Sequence, residues 1–269
     1  MVTKDRPEMA IASISAFLRQ DYARKQLVVV SESGPEAREM LSRHIGSLRS
    51  PLIALVHVQP GRYALGGLRN LSLKEARGEL VCQWDDDDLH HARRISVQAA
   101  HLLARQAGAC FLSDQLQLHR ATASLYWCDW AAPRSAPRWP PAIPNTLMCW
   151  REAAGQYPEV GPNSRRSEDL VFMKGLFRRY PVAVLAGHAP LYIYVAHGAN
   201  TWDDAHHRRI ERITGLEAAE LRLRRPELEP RLREHRLPSP LTVRGHDGDV
   251  AFEFIATGDE PACQGVPCV

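Results

Sequence analysis

The sequence predicts an α/β fold with a mostly parallel sheet and helices on both faces, on three observations. Strand-like and helix-like segments alternate from the start of the chain to Asp88. The apolar run Leu80-Val-Cys82 breaks off, two residues later, into Asp85-Asp-Asp-Asp88. Glycines punctuate the alternation, with Gly34 closing a strand, Gly66 and Gly67 before a helix, and Gly78 after one.

Pro7 suits the first position of a helix, and Ile11, Ile14, Phe17 and Leu18 share one face of it. Leu27 to Val30 is a compact apolar strand. Pro35 and Glu36 open a second helix carrying Met40, Leu41 and Ile45, and residues 53–58 form the next strand. Leu68 and Leu71 face inward on a third helix, which Gly78 ends before the aspartate strand. Residues 92–106 read as a helix with Ile95, Leu102 and Leu103 apolar. Residues 109–112, 124–127, 182–185 and 191–195 read as strands, and Ser167 caps a helix running to Arg179. The proline-rich stretch 131–145, with Arg134, Arg138 and Trp139, is a long loop that suits a substrate lid or a surface excursion. Trp127, Trp130, Trp139 and Trp150 suit either a sugar platform or a core. From Asp203 to Arg236 the chain turns to Arg, Glu and Leu, a solvated helical extension with a short β-like end.

The 269 residues, 45% hydrophobic and 24% charged, fit a soluble globular protein with one large domain or a domain plus an appendage. A formal net charge of +3 does not imply nucleic acid. There is no apolar run long enough to span a membrane, nor a signal-peptide core at the start, so a cytoplasmic location is expected. Cys82, Cys110, Cys128, Cys149, Cys263 and Cys268 show no Cys-x-x-Cys spacing and read as reduced thiols.

Four adjacent aspartates repel one another and form strands and helices poorly, so they belong at the open C-terminal end of a strand, where ligands bind in such sheets. A divalent cation, Mn2+ or Mg2+, relieves the repulsion with oxygen ligands; a solvated acidic turn is the plainer reading. Asp88 could instead cap a helix. Arg69 near a helix start suits a diphosphate or a surface ion pair. Asp169 in a first helical turn suits a general base, or simply complements the helix dipole. His90-His91 and His206-His207 lack metal-ligand spacing and read as surface residues, and Arg165 and Arg166 as an exposed loop.

Taken together, Thr3-Lys-Asp-Arg-Pro7, Val28 to Val30 with its acidic end, Gly67-Leu-Arg-Asn70, Gly78-Glu79, Asp85-Asp-Asp-Asp88 and Ser167-Glu-Asp-Leu170 resemble the family 2 glycosyltransferases of GT-A fold, over about residues 1–202. The resemblance implies a metal-dependent inverting transferase, of hexosyltransferase type. It takes a sugar from a nucleotide-diphosphate donor, UDP-linked, to a hydroxyl of a saccharide or lipid-linked acceptor. It implies Asp87, Asp85 and His197 at the metal, and Thr3, Glu32, Arg69, Asp85 and Asp86 around the nucleotide sugar. It makes Asp169 the general base, with Glu168 orienting the site. Residues 1–90 would form the donor half, 91–202 the acceptor half and 203–269 an extension. A lipid-linked acceptor would be met at the inner membrane face. Two departures stand out: only Met1 and Val2 precede Thr3, which reads as a truncated or mis-chosen start, and Ser31-Glu32 replaces the usual Asp-Asp. Two other classes remain open. One is a catalytically inactive nucleotide-sugar-binding module. The other is a metal-dependent phosphohydrolase or nucleotidyltransferase, for which no Gly-x-x-x-x-Gly-Lys loop is present.

Overall fold

A computed structural model describes residues 1–132 and 140–256 of the chain. The first half contains β1 (Val2–Thr3), α1 (Pro7–Leu18), β2 (Leu27–Ser31), α2 (Pro35–Leu48), β3 (Ile53–His57), α3 (Leu65–Glu75) and β4 (Leu80–Cys82). Then come β5 (Leu89–His90), α4 (Arg94–Ala104), β6 (Ala109–Leu112), β7 (Asp114–His119), β8 (Ser124–Asp129) and β9 (Met148–Trp150). The remainder is α5 (Glu168–Arg179), β10 (Val182–Leu185), β11 (Tyr192–Ala196), α6 (Asp204–Thr214), α7 (Ala218–Arg233), β12 (Leu241–Arg244) and β13 (Val250–Phe254).

The β-branched run Val28-Val-Val30 makes β2 the centre of a parallel sheet, flanked by β1 and β3. Ile14, Phe17, Leu27, Val29 and Leu41 form a dry cluster on one face, and Val28, Val30, Val58 and Leu68 one on the other. The parallel alternation ends there. Strand β4 pairs antiparallel with β9, which also pairs antiparallel with β6, while β10 runs parallel to β6. A third sheet has the order β13-β12-β8-β7-β11-β5. The architecture is therefore mixed α/β, and the expected parallel sheet through the aspartate strand is confined to its first three members.

Several expectations change on packing grounds. Strand β7 carries glutamines at alternate positions and lacks a polar-out pattern, because both of its faces are covered; Gln117 is buried with its amide on the carboxylate of Glu211 of α6. Leu103 is half-exposed on α4, where Ala99 and Leu102 do the packing. The extension is not merely solvated: Leu221, Leu228 and Leu232 of α7 are buried with Val243, Phe252 and Phe254, and β12 adds to β8 in parallel. His90, His91 and His207 are buried, not surface residues. Trp127 gives its indole N–H to Asp114 and Trp150 to the carbonyl of Ala107, which puts both in the core. Ser167 sits at the start of α5 in a left-handed conformation and makes no capping bond. Cys82, Cys110 and Cys149 are free thiols, as expected. Cys263, Cys268, Arg134, Arg138, Trp139 and most of the proline-rich loop lie outside the described residues. Among the described residues no helix is long and apolar enough to cross a membrane.

Gly66 lets α3 reach its place. A Cβ there would stand 2.0 Å from the carbonyl oxygen of Pro158, so only glycine permits this approach. Asn70, one turn on, locks the same loop with bonds to the carbonyl and N–H of Tyr157 at 2.9 and 2.8 Å. Gly66→Ala is expected to destabilise the fold by about 1–3 kcal/mol through overpacking. Gly46→Ala, in α2 with nothing within 4 Å, should stabilise it by about 0.5–1 kcal/mol. Chemical denaturation of the two variants checks both signs.

Candidate functional site

Strand β4 delivers Gln83 and Trp84 and then the four aspartates to the edge of a cavity of about 330 Å³. The end of β1, the start of α3, the start of α5 and the segment after β11 close its other sides. The predicted residues Thr3, Glu32, Arg69, Asp85, Asp86, Asp87, Glu168 and Asp169 all line it.

Arg69 is the centre of the charge arrangement. Its Nη1 donates to Asp85 Oδ1 at 3.0 Å and its Nε to Glu168 Oε1 at 2.9 Å, bridging the acidic turn to the first turn of α5. Burial works against the Arg69 charge, but Asp85 and Glu168 outweigh it and hold its pKa well above the ordinary value. The other carboxylate oxygen of Asp85 accepts from Gln83 Nε2 at 3.0 Å, so both of its oxygens are engaged.

Asp86 and Asp87 share a second guanidinium. Arg6 Nη2 lies 2.6 Å from Asp86 Oδ1 and its Nη1 2.8 Å from Asp87 Oδ2. His197 Nε2 reaches the same Asp87 oxygen at 3.1 Å. Because its Nδ1 accepts from the N–H of Ala199 at 3.3 Å, the imidazole proton is assigned to Nε2 and given to Asp87. Burial alone would raise the Asp87 pKa, but the His197 bond and the Arg6 charge hold it down. Asp86 moves the other way, to about 7, through burial and then the Asp87 charge. Asp86 Oδ2 and the Thr3 hydroxyl are both buried, and the Thr3 hydroxyl, as a donor to Asp86, works against that rise.

Asp88 points away from its neighbours. It accepts from the Tyr192 hydroxyl and from the N–H of Val195 at 3.0 Å, fastening the turn to β11, and it caps no helix. Burial pushes its pKa well above the usual carboxylate range. On the opposite wall, Glu32 is buried, takes the N–H of Gly61 at 2.9 Å and pairs with Lys4 at 3.1 Å. Asp169 has one oxygen on the N–H of Leu170 at 2.7 Å, and burial followed by the Glu168 charge raises its pKa to about 6.

The cavity thus gathers oxygen donors suited to a hard divalent cation, and both contacts on Asp87 fall on its Oδ2. Among the described residues no three His, Cys, Asp or Glu side chains are grouped so as to hold a metal by themselves. A cation that also takes substrate phosphate oxygens does not require such a cage. Sequence reasoning missed Arg6, which lies in the run Thr3 to Pro7, and Trp202, stacked between Arg166 and His206 at the cavity rim. No local signal could have found the first, because its partners Asp86 and Asp87 lie 80 and 81 residues further along the chain. Arg165 is exposed and lines the cavity.

The description "Glycosyl transferase family 2" matches residues 1–139. WcaA of Escherichia coli (strain K12), named as a colanic acid biosynthesis glycosyl transferase, is 33% identical over 103 residues. Those residues are 38% of this chain and 36% of the relative, so the match spans about a third of its length. Among solved structures, S. aureus TarS 1–349 in complex with UDP-GlcNAc aligns over 87% of this chain and 71% of its own, with TM-score 0.56 and 16% identity. The mannosyltransferase PcManGT from Pyrobaculum calidifontis, in complex with GDP-Man and Mn2+, aligns over 88% and 64%, with TM-score 0.51 and 17% identity. Both likenesses establish the fold, which is GT-A.

Removing the Asp88 carboxyl leaves the Tyr192 hydroxyl and the Val195 N–H without their acceptor. Asp88→Ala is expected to cost roughly 2–3 kcal/mol of stability, and Asp88→Asn, which keeps the shape, clearly less. Urea unfolding at neutral pH measures both; equal losses would contradict this role.

Proposed function

The chain belongs to glycosyl transferase family 2, and from that premise we propose that it is an inverting, metal-dependent hexosyltransferase. It moves a sugar from a nucleotide-diphosphate donor, UDP-linked, to an acceptor hydroxyl on a saccharide or lipid-linked molecule. The observation that carries this reading is that the acidic turn and the Glu168–Asp169 pair, 80 residues apart in sequence, line one cavity and are tied by Arg69.

In this reading residues 1–90 hold the donor and 91–202 meet the acceptor, while 203–269 form an extension whose described part, to residue 256, braces the sheet. Thr3 and Glu32 line the nucleoside end. Arg69 and Asp86, with Asp85, surround the diphosphate and sugar. A divalent cation, Mn2+ or Mg2+, would sit at Asp87, beside Asp85 and His197, and would neutralise the departing diphosphate. Asp169 takes the acceptor proton. Its raised pKa, about 6, puts the base near working pH, where it is largely ionised and still a competent proton acceptor. Glu168, fixed by Arg69, orients the start of α5 so that Asp169 meets the acceptor. A cytoplasmic location, with contact at the inner membrane face for a lipid-linked acceptor, follows from this chemistry as part of the proposal.

The test is sugar release from UDP- and GDP-linked donors, with and without Mn2+, by wild type and two variants. Asp87→Ala should lose metal-dependent donor binding. Asp169→Asn should bind donor within about twofold of wild type and lose at least about 100-fold in kcat. Phosphate release without sugar transfer would replace the reading with a phosphohydrolase. Since Asp169 must be deprotonated to act, kcat should fall as pH drops through about 6, and a flat profile from pH 5 to 8 would remove it as the base.

A further inference from the structure

Arg6 belongs to the donor site, although nothing in its sequence context assigns it a role there. Its guanidinium spans Asp86 and Asp87 with two separate N–H groups, at 2.6 and 2.8 Å, the two-pronged geometry that a lysine cannot reproduce. It is only partly exposed, at 30% of its side chain, and it lines the same cavity. The Asp87 oxygen that it grips also accepts from His197. The other oxygen of Asp86 is buried beside the Thr3 hydroxyl.

A charge count explains the grip. Seven carboxylates line the cavity, Glu32, Asp85, Asp86, Asp87, Asp88, Glu168 and Asp169, opposed there by Lys4, Arg6, Arg69 and Arg165. Arg69 is committed to Asp85 and Glu168 and Lys4 pairs with Glu32, while Arg6 is the guanidinium placed directly on Asp86 and Asp87. Asp87 is the carboxylate a divalent ion would take, so Arg6 and the metal contend for one group. A guanidinium freed from carboxylates is also well matched to phosphate oxygens, the other anion this cavity is read to receive.

We infer that Arg6 is a resident cation that competes with the divalent metal for Asp87 and Asp86, and that on metal binding it is transferred to the donor diphosphate. This inference rests on the nucleotide-sugar reading of the cavity. It makes the bare site hold metal weakly, and it makes metal and donor bind more tightly together than apart, because releasing Arg6 is required only once.

The experiment is Mn2+ titration of the nucleotide-free protein, followed by the electron paramagnetic resonance signal of free Mn2+, for wild type, Arg6→Lys and Arg6→Ala. UDP affinity at saturating Mn2+ is measured alongside. The inference predicts Mn2+ affinity rising by about tenfold in Arg6→Ala, with Arg6→Lys between, while UDP affinity falls in the same order. Equal or weaker Mn2+ binding in Arg6→Ala, or no detectable binding in either protein, overturns it. If Arg6→Ala fails to fold, Arg6→Lys carries the same comparison. Wild type that binds UDP with Mn2+ while the variants show no gain in Mn2+ affinity would sink the role of Arg6 and leave the proposed function standing. Wild type that binds no nucleoside diphosphate would sink the function itself.

Discussion

The bridge from Asp85 through Arg69 to Glu168 is the interaction on which the rest of the site depends. It joins the turn after a short strand, at Asp85, to the start of a helix at Glu168, 83 residues later. Without a cation between them, the half-buried Asp85 and the buried Glu168 would repel one another. Arginine suits the position because its planar fork offers Nε and Nη1 in different directions at once. It reaches there only because Gly66 lets the first turn of α3 lie against the backbone of Pro158. The aromatic face of Tyr157, 5.8 Å from the guanidinium carbon, covers it from the same loop. Backbone approach, loop position and charge pairing are therefore one constraint.

A second arginine supports the acidic turn from beneath. Arg94 is fully buried and meets His90 Nδ1 at 2.6 Å, Gln98 Oε1 at 3.1 Å and the carbonyl of Gln83 at 3.0 Å. Its guanidinium lies 5.6 Å from the Trp84 ring and 5.1 Å from that of Tyr192. Among the described residues no carboxylate pairs with it, so ring faces and neutral acceptors face the charge. Burial and the Arg94 charge hold the pKa of His90 well below its ordinary value, which keeps that imidazole neutral and able to accept. The turn is thus held by Arg6 and Arg69 at the cavity and by Arg94 and the Asp88–Tyr192 bond behind it.

Much of this was legible in the sequence, and the reasons are local. Strand β2 announces itself because three consecutive valines admit little else, and the acidic turn because four aspartates tolerate few environments. The positions of Glu168 and Asp169 followed from helix-start chemistry. What could not be read is what depends on distant partners. The alternating glutamines of strand β7 suggest a solvated face until Glu211 of α6 is placed over Gln117. His90, His91 and His207 resemble surface residues because their burial comes from Arg94, Glu234 and Tyr194, all far along the chain or on other elements. Asp88 is indistinguishable from its three neighbours until β11 supplies Tyr192 and Val195. Arg6 was visible as a residue but not as a cation, since Asp86 and Asp87 lie 80 positions away.

The cavity is proposed to receive a nucleoside diphosphate together with a divalent cation. Thermal-shift titration with UDP, GDP, CDP and ADP, each with and without Mn2+, tests it most directly, because a ligand that binds only the folded state raises its stability by mass action. The account predicts a concentration-dependent rise in Tm with UDP that requires Mn2+ and is lost in Asp87→Ala. No rise with any of the four nucleotides, in the presence or absence of Mn2+, would contradict it.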